Sequence, residues 1–143
     1  MAAVTLLARD RQGPKAMAQL LMSPMLDDRD DTVSSRQYSG TGSWSRDSND
    51  TGWNALLGER RKSDAVSVYA SSAQAADLPG LPPAFIDVGS AEVFRDEDVA
   101  CASRLWAFGV QAELHVWAGG FHIFDGAAPT AALSIAALKA RSA

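Results

Sequence analysis

The chain has 143 residues, 47% of them apolar and 21% charged, with a net charge of −4 and a single cysteine, Cys101. That length suits one domain burying about two-thirds of its unfolded surface. The negative balance gives no electrostatic reason to expect nucleic acid or an anionic membrane as partner. One cysteine closes no internal disulfide, so a secreted, stapled fold is not indicated, and Cys101 reads as a small buried apolar residue. No run of about 18 apolar residues exists to span a bilayer. The apolar N-terminus lacks the basic start of a signal peptide, so the cytoplasm is the expected compartment.

The segment 2–9 predicts a helix, with good helix formers and no breaker before Gly13-Pro14. Gln19-Leu-Leu-Met-Ser-Pro24 predicts a short buried strand stopped by proline. An acidic tract, Asp27 to Asp31, follows at its exit. Residues 32–50 are rich in Ser, Gly and Asp and read as loop, with Tyr38 and Trp44 as anchors. The wider segment 32–58 reads as a pocket wall or lid-like insertion. Asn49, Asp50 and Thr51 offer caps for a short helix over 53–57, stopped by Gly58. Arg60, Arg61 and Lys62 read as solvated surface. Residues 71–83, punctuated by three prolines, read as loop.

From Ala84 the pattern becomes regular. Residues 84–88 predict a strand, and 94–108 a helix with Val99, Ala102, Leu105 and Trp106 on one stripe, ended by Gly109. Residues 111–117 predict a second strand and 129–140 an alanine-rich helix. Strand, helix, strand, helix with short links indicates an α/β fold with a parallel sheet. Right-handed crossovers then put the functional loops at the C-terminal edge of the strands.

Two groups fall just past that edge. Glu92 lies in the turn after the first of these strands, and His122 in the Gly-Gly-Phe-His loop after the second. Histidine carries protons near neutral pH, and a carboxylate can fix its tautomer and stabilise its charged form. A lone loop histidine is more often a surface residue, so position alone leaves the role open. Four carboxylates cluster near the other loop: Glu92, Asp96, Glu97 and Asp98. Of these Glu92 lies in the turn itself, from which a carboxylate can point toward the next strand's loop; spacing alone leaves that orienting role open. Asp96 and Glu97 open a helix, where the dipole favours negative charge and capping is the simplest role. His115, inside the strand, reads as structural.

Several linked motifs carry a resemblance. They are Leu6-Leu-Ala-Arg-Asp-Arg11, Gln19 to Asp28, Trp53-Asn-Ala-Leu-Leu-Gly58, Asp77-Leu-Pro-Gly-Leu-Pro-Pro83, Arg95-Asp-Glu97 and Glu113-Leu-His-Val116. With the His122 loop, they make the chain resemble the hormone-sensitive-lipase-like esterases of the α/β-hydrolase superfamily. In chain order that family places its serine first, then the acid, then the histidine. The resemblance implies an ester hydrolase acting on small-molecule esters without cofactor or metal. It assigns the acid to Glu92, where Asp is usual, and the base to His122.

It also implies what is missing. No Gly-x-Ser-x-Gly occurs, and Ser43, Ser45 and Ser90 lack an elbow motif. The expectation is a partial α/β-hydrolase fold: the last three parallel strands with flanking helices, one C-terminal part over 1–143, N-terminal strands and nucleophile elbow absent. Such a chain should be inactive alone and form homo-oligomers through its unpaired strand edge. Ala118 stands where Pro is common, Cys101 where an aromatic is common, and Ile123 where Gly usually follows the histidine. A β-branched residue fits positive φ poorly, so Ile123 marks a point of strain.

Overall fold

A computed structural model describes residues 2–40 and 42–142; Thr41, inside the expected insertion, lies outside the described residues, as do Met1 and Ala143. Three parallel strands form one sheet in the order β1 (Gln19–Met22), β2 (Ala84–Gly89), β3 (Ala112–Trp117). The register pairs Leu21 with Ile86 and Ile86 with Leu114 on one face, and Met22 with Asp87 and Asp87 with His115 on the other. Helices α1 (Ala2–Asp10) and α4 (Arg95–Ala107) bring Leu6, Ala102 and Leu105 to Leu21 and Ile86, the main apolar core.

The opposite face is more polar. Asp87 lies buried there, its Oδ2 accepting from Trp117 Nε1 at 3.0 Å and from Arg141 Nε at 2.8 Å. Arg141 closes the last helix, α6 (Ala132–Arg141), and so ties it to the central strand. His115 stacks between Phe85 and Trp117, with centroids 5.1 and 5.2 Å away, and its Nε2 meets Glu113 at 2.7 Å. Its side chain is held within the sheet face, as its place inside a strand anticipates.

The stretch expected as loop holds two helices instead. α2 (Val33–Gln37) is capped by Thr32, whose side chain accepts from Ser35 N–H. α3 (Arg46–Leu57) starts seven residues before the expected 53, capped by Ser45 rather than by Asn49 to Thr51. Serines and aspartates here cap and anchor rather than break. Trp53 and Leu57 from α3 form a second core cluster with Val66.

The acidic tract is the anchor. Asp28 and Asp30 are fully buried; Lys62 N–H donates to Asp28 at 2.7 Å and Asn49 Nδ2 to Asp30 at 3.0 Å. Arg61 is not solvated surface: its side chain is buried, pairs with Asp50 and donates to the Asp28 carbonyl at 3.0 Å. Burying carboxylates is costly without such partners.

The inward stripe of α4 also differs from expectation. Asp98, Ala102 and Leu105 face in, while Val99 and Trp106 are exposed. Glu97 is likewise buried, accepting from Leu26 N–H at 2.7 Å, so it is no surface cap. Burial, with the charges of Asp27 and Asp30, pushes its carboxyl up to about 8 against these backbone donors. Burial and the nearby Glu97, Glu92 and Asp87 push Asp98 up as well.

A raised carboxyl favours the folded state below the unfolded pKa, near 4.5, and loses that contribution as pH climbs through about 8. Glu97→Gln should therefore flatten the fall in stability between pH 5 and 8. At pH 8 it should gain on the order of 3 kcal/mol. Urea unfolding at the two pH values measures this; parallel wild-type and variant pH profiles would refute it.

Candidate active site

Both candidate residues sit in loops at the C-terminal edge of the sheet. β2 ends at Gly89, and the turn that follows carries Glu92 back beneath the sheet edge, 1% exposed. One carboxylate oxygen accepts from Gly89 N–H at 2.9 Å and from Ser23 Oγ at 2.8 Å. The other lies 2.8 Å from His122 Nδ1. An ionised carboxylate only accepts, so Nδ1 carries the proton and Nε2 keeps its lone pair on the far side of the ring.

The two loops are locked at the backbone. Ser90 N–H donates to the Trp117 carbonyl at 2.8 Å, Ala91 N–H to the Gly120 carbonyl at 2.9 Å, and Gly119 N–H to Ser90 Oγ at 2.8 Å. Gly89 makes this approach possible: a Cβ there would stand 2.1 Å from the Gly120 oxygen. Gly120 in turn lies against the Phe124 ring. Phe94 meets the imidazole edge-on at 5.2 Å and Trp44 tilts against it at 5.8 Å. Ser43 Oγ donates to the His122 carbonyl at 2.8 Å, and Tyr38 Oη to the Ser90 carbonyl at 3.3 Å. Ser43 and Trp44 thus lie against the histidine loop, and Tyr38 against the acid turn.

Of the other acids, Asp96 and Glu97 are held by other partners, and Asp98 is buried with neither carboxylate oxygen hydrogen-bonded. Asp96 accepts from Ser34 N–H at 2.7 Å and pairs with Arg95 at 2.8 Å, joining α2 to α4. Burial pushes its carboxyl up, but Arg95 and the Ser34 donors outweigh this and hold it below its ordinary value. Ser90 Oγ accepts from Gly119 N–H, Ser43 Oγ donates to the His122 carbonyl, and Ser45 caps α3. Cys101 is half-buried, and burial pushes its thiol up to about 12. It is a thiol at neutral pH, not a nucleophile. Among the described residues no group of three or more His, Cys, Asp and Glu is placed to hold a metal.

Ser23 escaped sequence reasoning. Its Ser-Pro signal read only as a strand stop, yet the residue turns into the left-handed region at φ 41 and aims its hydroxyl at Glu92.

Ile123 bears out the expected strain. It adopts φ 56, ψ 32, with its side chain largely exposed. A β-branched residue pays about 1–2 kcal/mol there, and little apolar contact offsets it. Ile123→Gly should thus raise stability by about 0.5–1 kcal/mol, after the entropy cost of glycine. Chemical denaturation checks this; a loss of stability would show that Ile123 packs more than its exposure indicates.

The profile of a family described as the alpha/beta hydrolase fold matches residues 1–126. A bacterial heroin esterase superposes with a TM-score of 0.93 and 36% identity over 97% of this chain and 44% of its own length. The esterase LipW from Mycobacterium marinum gives 0.90 and 29% over 98% of this chain and 43% of its own. A thermostable esterase from Pseudomonas putida ECU1011 gives 0.89 and 27% over 97% and 44%. This chain therefore spans less than half the length of the esterases it matches. No curated protein matches it. The chain belongs to the α/β-hydrolase family, on the branch of the hormone-sensitive-lipase-like esterases.

Proposed function

We propose that this chain carries the acid and base of a carboxylic-ester hydrolase with a Ser-Glu-His triad, and that the serine and oxyanion donors come from residues outside it. The 2.8 Å contact between Glu92 and His122 Nδ1 carries the reading. His122 Nε2 takes the serine proton as the hydroxyl attacks the ester carbonyl. The imidazolium then returns that proton to the leaving alkoxide, and water repeats the cycle on the acyl-enzyme. Glu92 fixes the tautomer and stabilises the charged ring. Segment 32–58, bearing Ser43 and Trp44 over the histidine loop, forms the pocket wall.

The test compares the chain alone with the chain joined to the portion of the heroin esterase that it does not match. Alone, it should hydrolyse p-nitrophenyl acetate no faster than free imidazole, because triad members act as a unit. Joined, it should turn over, with activity lost on treatment with a serine-directed fluorophosphonate and in His122→Ala. Saturable turnover by the chain alone, removed by Ser90→Ala or Ser43→Ala, would overturn the proposal.

A second reading, a non-catalytic chain that self-associates, has its own support. Leu20 and Met22 on β1 are 40% and 54% exposed, and among the described residues β1 pairs only with β2. Such an edge recruits another chain. Sedimentation at micromolar concentration should show dimers or larger species; a compact monomer would remove this reading.

A further inference from the structure

Between α1 and α4, on the sheet face covered by those helices, lies a cavity of about 140 Å³ that neither Glu92 nor His122 lines. One water needs only about 10–15 Å³, so the space holds several heavy atoms. Leu6, Leu21, Leu78 and Leu105 supply apolar walls. Glu97, a residue 4% exposed, also lines this space.

Glu97 has no counter-charge. No salt bridge reaches it among the described residues, and its donors are backbone N–H groups of the turn after β1. That turn also faces it with Asp27 and Asp30, while α4 adds Asp96, Asp98, Cys101 and Arg104. Of the cations that line the space, Arg29 pairs with Asp27, while Arg104 keeps its charge and directs its guanidinium N–H groups to the carbonyls of Ala73 and Ala75 rather than to Glu97. Asp96 has its own arginine, Arg95. From α1 only uncharged side chains, Ala2, Thr5 and Leu6, line the space. A mainly apolar cavity with one buried carboxyl that no side-chain cation pairs is complementary to a ligand with one cationic head and a short hydrocarbon body.

We propose that this cavity binds a small primary alkyl amine, its ammonium on the Glu97 carboxylate and its chain among Leu6, Leu21, Leu78 and Leu105. The site is independent of the esterase reading. Burial keeps the Glu97 proton up to about 8, so at neutral pH the unliganded group is largely neutral. An arriving ammonium supplies the missing positive charge, and the Glu97 proton leaves to solvent. Affinity should consequently rise with pH, by roughly tenfold per unit below about 8, and then level off. Cys101, whose thiol is pushed up to about 12, stays uncharged throughout and does not distort that slope.

Titration calorimetry of the 143-residue chain with n-hexylamine and with n-hexanol, at pH 6, 7 and 8, tests this. Hexylamine should bind one per chain, about tenfold or more tighter than hexanol at pH 8. Measured in buffers of different ionisation enthalpy, its binding at pH 7 should release close to one proton. Glu97→Gln should erase the preference for amine over alcohol. Ala100→Phe, which adds a ring at an exposed lining position without touching Glu97, should weaken both ligands and so serves if Glu97→Gln misfolds. Equal affinity for amine and alcohol would overturn the proposal. So would no saturable amine heat, binding without proton release, or an amine preference that survives Glu97→Gln.

Discussion

In an enzyme completed by a nucleophile-bearing segment, Glu92→Gln is expected to lower kcat on p-nitrophenyl esters by about 10⁴-fold, and His122→Ala by about 10⁶-fold. The amide keeps the size of the side chain but alters what it can accept and donate. The carboxylate takes three hydrogen bonds, from Gly89 N–H, Ser23 Oγ and His122 Nδ1. A glutamine that turns its NH₂ toward the ring selects the tautomer with Nδ1 unprotonated, and Nε2 is then no base. Even with its oxygen toward Nδ1, it cannot offset the imidazolium charge. KM should change little, since neither group holds the ester in its ground state. Asp96→Asn supplies the control: Asp96 is bound to Ser34 and Arg95, so it should affect stability and leave kcat within a few fold. If Asp96→Asn were the crippling change and Glu92→Gln harmless, Glu92 would be the wrong acid.

The second large effect concerns Gly89. Its Cα sits so close to the histidine loop that an added Cβ would lie 2.1 Å from the Gly120 oxygen and 2.5 Å from its carbon. Both partners are backbone, so no side chain can swing away. Gly89→Ala must push the two loops apart, breaking the Ala91–Gly120 hydrogen bond and lengthening the reach from Glu92 to His122. The expected cost is about 4 kcal/mol of stability. A displacement of about 1 Å at the acid–base pair would cost a further 10²-fold in kcat. Denaturant unfolding and ester kinetics measure the two separately. A Gly89→Ala protein as stable as the wild type would show that the loops yield without cost.

The parts of the molecule legible in the sequence are those where pattern and burial coincide. β2, α4 and β3 follow one another with short links, and their apolar periodicity places Glu92 and His122 past the same sheet edge. Where polar residues are buried, the sequence misleads. Ser45 and Thr32 look like loop composition but cap helices, Arg61 looks solvated but is buried, and the Asp28–Asp30 tract anchors the segment above it. On α4 the buried stripe runs through Asp98, a residue that no hydropathy pattern assigns to an interior. Trp106 looked like core, yet its ring stays half in water with its N–H on the Ala112 carbonyl. Ser23 was hidden for a different reason: its role depends on a left-handed turn that a serine side chain does not advertise.

The spacing of the strands along the chain also bears on how the molecule assembles. β2, α4 and β3 occupy consecutive sequence, whereas about sixty residues, including α2 and α3, intervene between β1 and β2. Closing the long loop costs more chain entropy, and non-local strand pairing is slow to form. The βαβ unit should therefore gather first and bring Glu92 and His122 together before β1 arrives. Ser23, at the exit of β1, would close onto the carboxylate last. Pulse-labelled hydrogen exchange during refolding should accordingly protect the amides of Ile86 and Leu114 before that of Leu21. The acid–base pair would then be an early product of folding, and its third hydrogen-bond donor a late one.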